Sequence, residues 1–210
     1  MIQIYLPTNN NFNFNGDMTL FPTMCELDTS TWQLTLEHPI DEEDRWKYIL
    51  EEGVIKAPSF NGDQLFRISN LFKSDSGVEV KAYPIYYDAK DEVFLESVRP
   101  TNKTGQEALD IMMEGTKYFG ESDITILNTA YYERKNLLQA LLGTENNSFL
   151  NRWGGEVMFD NFKILIKQRL GSDYGLSIKY GKNVQYDGFT ETIDMDDVVT
   201  RIYPKAYNGR

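Results

Sequence analysis

The chain is poor in the residues that do chemistry. Its 210 residues include one cysteine, Cys25, and one histidine, His38. A lone cysteine excludes a disulfide within the chain and fits folding in a reducing cytoplasm. One histidine excludes the paired histidines of an HExxH zinc site and leaves a Ser-His-Asp triad a single base. No serine sits in a GxSxG elbow, and no GxxxxGK[ST] loop or GxGxxG turn offers a phosphate cradle. No run of about 18 apolar residues occurs, so no spanning helix is expected. The opening residues, MIQIYLPTNNNFNFNG, lack the basic start and apolar stretch of a signal peptide. Basic residues are outnumbered, 21 Lys and Arg against 32 Asp and Glu, for a formal net charge of −11. That balance argues against a grip on nucleic-acid phosphates and against docking on an anionic membrane. An acidic surface repels DNA and lets it pass without sticking.

What is present is core-forming material. Hydrophobic residues make up 41% and aromatics 13%, enough for a buried core and too much for a disordered chain. The first half reads as β. Ile2, Ile4 and Leu6 alternate with Gln3 and Tyr5, and Trp32, Leu34 and Leu36 alternate with polar neighbours. Phe66, Ile68 and Phe72 share a face of the run from Gln64 to Phe72. Residues 73–77 then turn the chain, and Val78, Val80 and Ala82 return as the second arm of a hairpin ending at Pro84. The Asn-rich patch from Asn9 to Asn15 reads as a loop, with Phe12 and Phe14 able to alternate as a strand.

Helices punctuate this pattern. Asp41 is a suitable N-cap, Glu42, Glu43 and Asp44 suit a first turn, Trp46, Ile49 and Leu50 form an apolar face, and Gly53 stops it. A second helix starts at Thr104, whose spacing to Glu107 is that of a capping box. Its buried stripe is Ala108, Leu109, Met112 and Met113, and Gly115 ends it. Ile124 and Ile126 suggest a short strand. Glu133, Arg134 and Lys135 form a solvated turn before a helix carrying Leu137, Leu138, Leu141 and Leu142, with Gly143 as its C′ residue. Trp153-Gly154-Gly155 turns the chain into a meander. Its strands carry Val157 and Phe159, then Phe162, Ile164 and Ile166, then Leu176, Ile178 and Tyr180, with Lys163, Lys167 and Lys179 on the opposite face. A last alternating run, Val198 to Tyr203, needs a partner strand, and the sheet of the first half supplies one. The expected fold is α+β and mostly β. A discontinuous β-barrel-like domain, residues 1–98 plus 189–210, carries an inserted α+β domain, residues 99–188.

No catalytic, cofactor-binding or metal-binding residues are assigned. Asp41 to Asp44 is an acidic run, but consecutive carboxylates on a helix point to different sides and no oxygen-ligand loop surrounds them. Cys25 lies between Met24 and Glu26 without an electropositive setting, so a Cys25–His38 dyad is disfavoured against a small core residue. His38, before Pro39, reads as a loop residue. Asp194, Asp196 and Asp197 are the densest remaining carboxylates, read as a solvated loop rather than a glycosidase pair. The 13 tyrosines invite a sugar-stacking reading, but most fall at alternating strand positions that suit a core.

An ordered series of segments resembles a known family. RWKYILEEG from Arg45, LFRI from Leu65 and VKAYPIYYDAKD from Val80 resemble its first barrel and corner. NKTGQEALDIMMEG from Asn102 resembles its capped helix. KNLLQALLG, NSFLNRWGGEV and YGLSIKYGKN resemble its most specific block, and VVTRIYP resembles the strand that returns to the barrel. The chain is similar to the N-terminal hub region of phage tail proteins, the phage minor structural protein or prophage endopeptidase tail family. The resemblance implies a homotrimer in the full-length protein, at the virion tail tip, made in the host bacterial cytoplasm. The hub closes the distal end of the tail tube, contacts the distal tail ring protein, and carries downstream fibre or lysin domains. No cofactor is expected from these residues. Members continue into a second barrel, whereas this sequence stops at Arg210, so any peptidoglycan-cleaving activity is expected in later domains and not in these residues. The alternative reading is a host-wall carbohydrate-binding module of the tail; a hydrolase using a carboxylate pair is a third.

Overall fold

A computed structural model describes residues 1–171, Phe60 excepted. The described elements form one compact unit, Met1–Leu170, that is α+β and mostly β. Its first layer is a seven-stranded sheet. The strands are β1 (Ile2–Tyr5), β2 (Met18–Leu20), β3 (Met24–Asp28), β4 (Gln33–Pro39), β5 (Val54–Ser59), β6 (Gly62–Lys73) and β7 (Gly77–Pro84). They lie in the order β2-β1-β5-β6-β7-β4-β3, each antiparallel to its neighbour.

Strand alternation decides which face is buried. Leu34, Leu36 and His38 of β4 and Val78, Val80 and Ala82 of β7 point into the core. Gln33, Thr35 and Glu37 point the other way. The sheet curls into a half-barrel. A physical cause lies in the connectivity. β2 and β3 are the two edges of the sheet, yet residues 21–23 alone join them. Seven strands laid flat would separate those edges by roughly 29 Å at about 4.8 Å per strand. The short link reaches about 14 Å. Phe66, Ile68 and Leu36 fill the concave side that results.

The helix expected after Asp41 is a single 3₁₀ turn, Arg45–Tyr48. The Asp41 carboxylate accepts from the Arg45 backbone N–H at 2.8 Å and from its guanidinium at 2.9 Å. That reach of four residues leaves Asp44 at a left-handed φ of 57°, which an α-helix interior does not accept. Ile49 still enters the core, but Leu50 stays exposed. Residues 9–15 form a loop, as expected. Phe12 packs edge-on to Tyr5, and Phe14 stays exposed.

The second layer follows a 3₁₀ turn at Ile85–Asp88. It holds α1 (Ala89–Glu92), β8 (Phe94–Val98), α2 (Gly105–Met113), β9 (Phe119–Ser122), β10 (Tyr132–Asn136), α3 (Leu137–Leu142), α4 (Phe149–Trp153), β11 (Glu156–Asp160) and β12 (Lys163–Lys167). α2 carries the expected capping box. Thr104 Oγ1 accepts from Glu107 N, Glu107 accepts from Thr104 N at 3.0 Å, and Ala108, Leu109, Met112 and Met113 are buried. Three of the four leucines of α3 are buried, and Asn136 caps its start at 2.8 Å. Gly143 keeps an ordinary φ of −61°, so it is not a left-handed cap. A Cβ there would lie 2.4 Å from the Gln139 carbonyl oxygen, so close approach is what requires glycine. Gly154 and Gly155, at φ 76° and 111°, make the expected turn.

Two expectations for this layer are corrected, and one element is added. Residues 149–153 form α4, because Ser148 caps them and Phe149 and Trp153 stack one turn apart at 4.9 Å. Glu133 to Lys135 are not a turn but the middle of β10, paired with β8. The strand expected at Ile124 and Ile126 lies earlier, as β9. Gly120 makes that possible: a Cβ there would meet the Leu109 Cβ at 2.8 Å, so glycine lets the strand lie against α2. Among the described residues, β11 and β12 form the expected antiparallel pair. The flank of β12 away from β11 holds β9, in parallel register, in a sheet ordered β11-β12-β9. Leu176, Ile178, Tyr180 and Lys179, the run from Val198 to Tyr203, and the return of residues 189–210 to the barrel lie outside the described residues.

Candidate functional site

Among the described residues singled out for chemistry, His38, Cys25, Asp41, Glu43 and Asp44 are engaged structurally. His38 is buried in β4, not in a loop, and its ring joins two backbones. Nε2 accepts from Phe21 N–H at 3.3 Å, and Nδ1 lies 2.8 Å from the Pro39 carbonyl oxygen. One tautomer, with the proton on Nδ1, satisfies both contacts and leaves no lone pair for a base. Cys25 is half-buried in β3, opposite Leu36 of β4, and burial pushes its thiol up, away from the reactive thiolate. In the acidic run, Asp41 and Glu43 meet Arg45, and Asp44 meets Lys47 at 2.7 Å. Among the described residues, no group of three or more His, Cys, Asp or Glu is arranged to hold a metal. Asp194, Asp196 and Asp197 lie outside them.

The polar side chains that do converge join the two layers. β6 reaches β7 only from Phe66 onward, so its first residues have a free edge. The turn between β11 and β12 covers that edge. Asn161 Oδ1 accepts from Leu65 N at 2.9 Å, and Asn161 N donates to Gln64 Oε1 at 2.8 Å. Gln64 Nε2 donates to Asp160 at 3.0 Å, and Asn61 Nδ2 donates to the Phe159 carbonyl at 3.1 Å. This docking joins residues about a hundred positions apart and leaves no mark in the local strand alternation. The available signal was a buried-strand position occupied by glutamine, Gln64, which is 5% exposed.

One charged pair braces the junction and others brace the second layer itself. Arg67 of β6 holds Asp88 through Nη2 at 2.6 Å and donates to the Glu52 carbonyl at 2.5 Å. Glu92 takes a hydrogen bond from Tyr118 at 2.6 Å and an ion pair from Lys117 at 2.8 Å. Burial, and then the Glu92 carboxylate, push the Tyr118 hydroxyl far above the usual phenol range. Lys163 and Lys167 do not simply decorate a wet face. Both bind Glu121 of β9, at 2.7 and 2.6 Å, and hold its carboxyl down to about 2.

The surface offers shallow clefts. One of about 380 Å³ runs beside the β6–β7 turn, lined by Phe72, His38, Glu37 and Glu79 among others. Glu37 and Glu79 face each other across β4 and β7, and Phe72 and Phe21 are more than half exposed. Thr23, Lys73, Ser74 and Ser76 also line this cleft.

No family model matches the chain, and no curated protein matches it. Among solved structures, its fold is similar to that of prophage tail protein gp18 from Listeria monocytogenes EGD-e. The TM-score is 0.56 at 18% sequence identity, over 79% of this chain and 50% of that one. The chain therefore spans about half the length of the structure it matches.

Proposed function

We propose that the chain is a structural component of a phage or prophage tail, at the tail tip. It is the N-terminal part of a hub that closes the distal end of the tail tube and connects it to receptor-binding or lysin domains. The observation that carries this reading is the fold likeness to a prophage tail protein over 79% of the chain. The ordered series of segments from Arg45 to Pro204 adds an independent line of support. On this reading the barrel is discontinuous, residues 99–188 are its insert, and the full-length protein is a homotrimer on the distal tail ring. Its net charge of −11 suits a passage that repels DNA. The chain itself has no catalytic role, and wall hydrolysis belongs to domains beyond it.

The carbohydrate-binding alternative would draw on exposed Trp or Tyr platforms. Among the described residues Tyr131 is the one tyrosine in the exposed class, and Trp32, Trp46 and Trp153 are half-buried or buried. Immunogold labelling of purified particles tests the leading reading. Label at the tail tip is the expected result; label confined to capsids or to host cytoplasm would overturn it. Zymography of this chain against host peptidoglycan is expected to be blank.

A further inference from the structure

Asparagine followed by glycine occurs three times, at Asn15-Gly16, Asn61-Gly62 and Asn208-Gly209. Glycine leaves the following backbone nitrogen unhindered, so such a pair can attack itself. The third pair lies outside the described residues, and the first two sit in opposite settings. Asn61 is pinned. Its Nδ2 donates to the Phe159 carbonyl at 3.1 Å, its Oδ1 is buried, and Gly62 pairs with Ser59 in the β5–β6 hairpin. Asn15 is exposed in the loop between β1 and β2, and its side-chain amide makes no hydrogen bond among the described residues.

We infer that Asn15-Gly16 is a spontaneous deamidation site and that Asn61-Gly62 is protected by the fold. The Gly16 nitrogen loses its proton and bonds to Asn15 Cγ. The Cγ–Nδ2 bond breaks, and ammonia leaves with that proton. The five-membered imide then takes up water. Opening at one carbonyl gives aspartate at position 15, and opening at the other gives isoaspartate, whose main chain runs through the former side chain. No oxidant or enzyme is needed.

The surroundings make the product consequential. Gly16 lies so close to β1 that a Cβ there would meet the Ile4 carbonyl oxygen at 2.7 Å and the Gln3 Cβ at 2.9 Å. One residue on, Asp17 takes hydrogen bonds from Leu6 N at 2.8 Å and Asn9 Nδ2 at 2.9 Å. One residue back, the Phe14 carbonyl accepts from Tyr5 at 2.7 Å. A lengthened main chain between those anchors cannot keep all three contacts, and the new carboxylate stands beside Asp17. Age therefore loosens the β1–β2 edge.

The test is peptide mapping by mass spectrometry of the full chain, aged at mildly alkaline pH, folded and in strong urea. Asn15 is expected to convert more than about tenfold faster than Asn61 in the folded protein, because the Asn61 site must first open. In urea the two rates should come together. Asn15→Gln should abolish the first conversion and leave the second unchanged. Equal folded-state rates, or an Asn15 that converts in urea but not in the folded chain, would overturn the assignment. Aged protein should also unfold at lower urea than fresh protein, with Asn15→Gln immune; an unchanged midpoint would refute the loosening.

Discussion

Asn161 and Gln64 are separated by almost the whole second layer in sequence, yet the Gln64 side chain holds the Asn161 backbone and the Asn161 side chain holds the backbone on either side of Gln64. The Asn161 N–H donates to Gln64 Oε1 at 2.8 Å, while the Asn161 carbonyl oxygen of the side chain accepts from the next amide, Leu65 N, at 2.9 Å. Asn161 also sits at φ 54°, a left-handed conformation that asparagine tolerates. Asn161→Ala is expected to cost about 2–4 kcal/mol, from an unpaired buried amide plus left-handed strain. Asn161→Gly should recover the strain part alone. Urea unfolding of both variants checks the order; equal losses would show that the backbone conformation contributes nothing.

Glu121 predicts an acid response. Hydrogen bonds and charge from Lys163 and Lys167 hold its carboxyl down from 4.5 to about 2. A carboxylate with a depressed value stabilises the fold above its unfolded value, and that contribution fades as pH falls toward the folded one. Stability should therefore drop between about pH 4.5 and 2, and Glu121→Gln should flatten that slope. The three side chains are partly exposed, so added salt should shrink the effect. Unfolding midpoints across pH, with and without salt, provide the readout.

The capping box of α2 is a local device with a local cost. Thr104→Ala should lose about 0.5–2 kcal/mol. Thr104→Ser should keep most of that, because its hydroxyl still accepts from Glu107 N. Thermal unfolding distinguishes the two; an Ala variant as stable as the parent would show the cap to be dispensable.

His38 acts as a buried splice between β4 and the link joining the sheet edges. His38→Leu keeps bulk but strands the Phe21 N–H, with an expected loss of about 1–3 kcal/mol. Hydrogen exchange at Phe21 should accelerate more than at Val80 in the sheet centre. Uniform acceleration would mean that the histidine matters only for packing.

Much of this architecture is written locally. Period-two alternation placed the hairpin of β6 and β7 and the β11–β12 pair, because side chains of a strand alternate faces whatever surrounds them. Thr104 with Glu107 marked α2 because both partners of its cap lie within one turn. The run at Asp41 misled for the same reason. Local rules favour a helix there, but Asp41 spends its carboxylate on Arg45 and the chain must soon enter β5. His38 misled because Pro39 follows it, although the last residue of a strand tolerates proline.

The sequence alone determined the mostly-β character, the turn glycines, the capped helix and the scarcity of reactive side chains. All of these depend on neighbours within a few positions. Tertiary structure decided the rest. It laid β9 beside β12 in parallel and against α2, where Gly120 is small enough to pass Leu109. It curled the sheet, because a three-residue link ties strands at opposite edges. It seated Asn161 on the free edge of β6, where an unpaired amide in a buried place must find an acceptor. Each of these couples residues far apart in the chain, where no local periodicity carries the information.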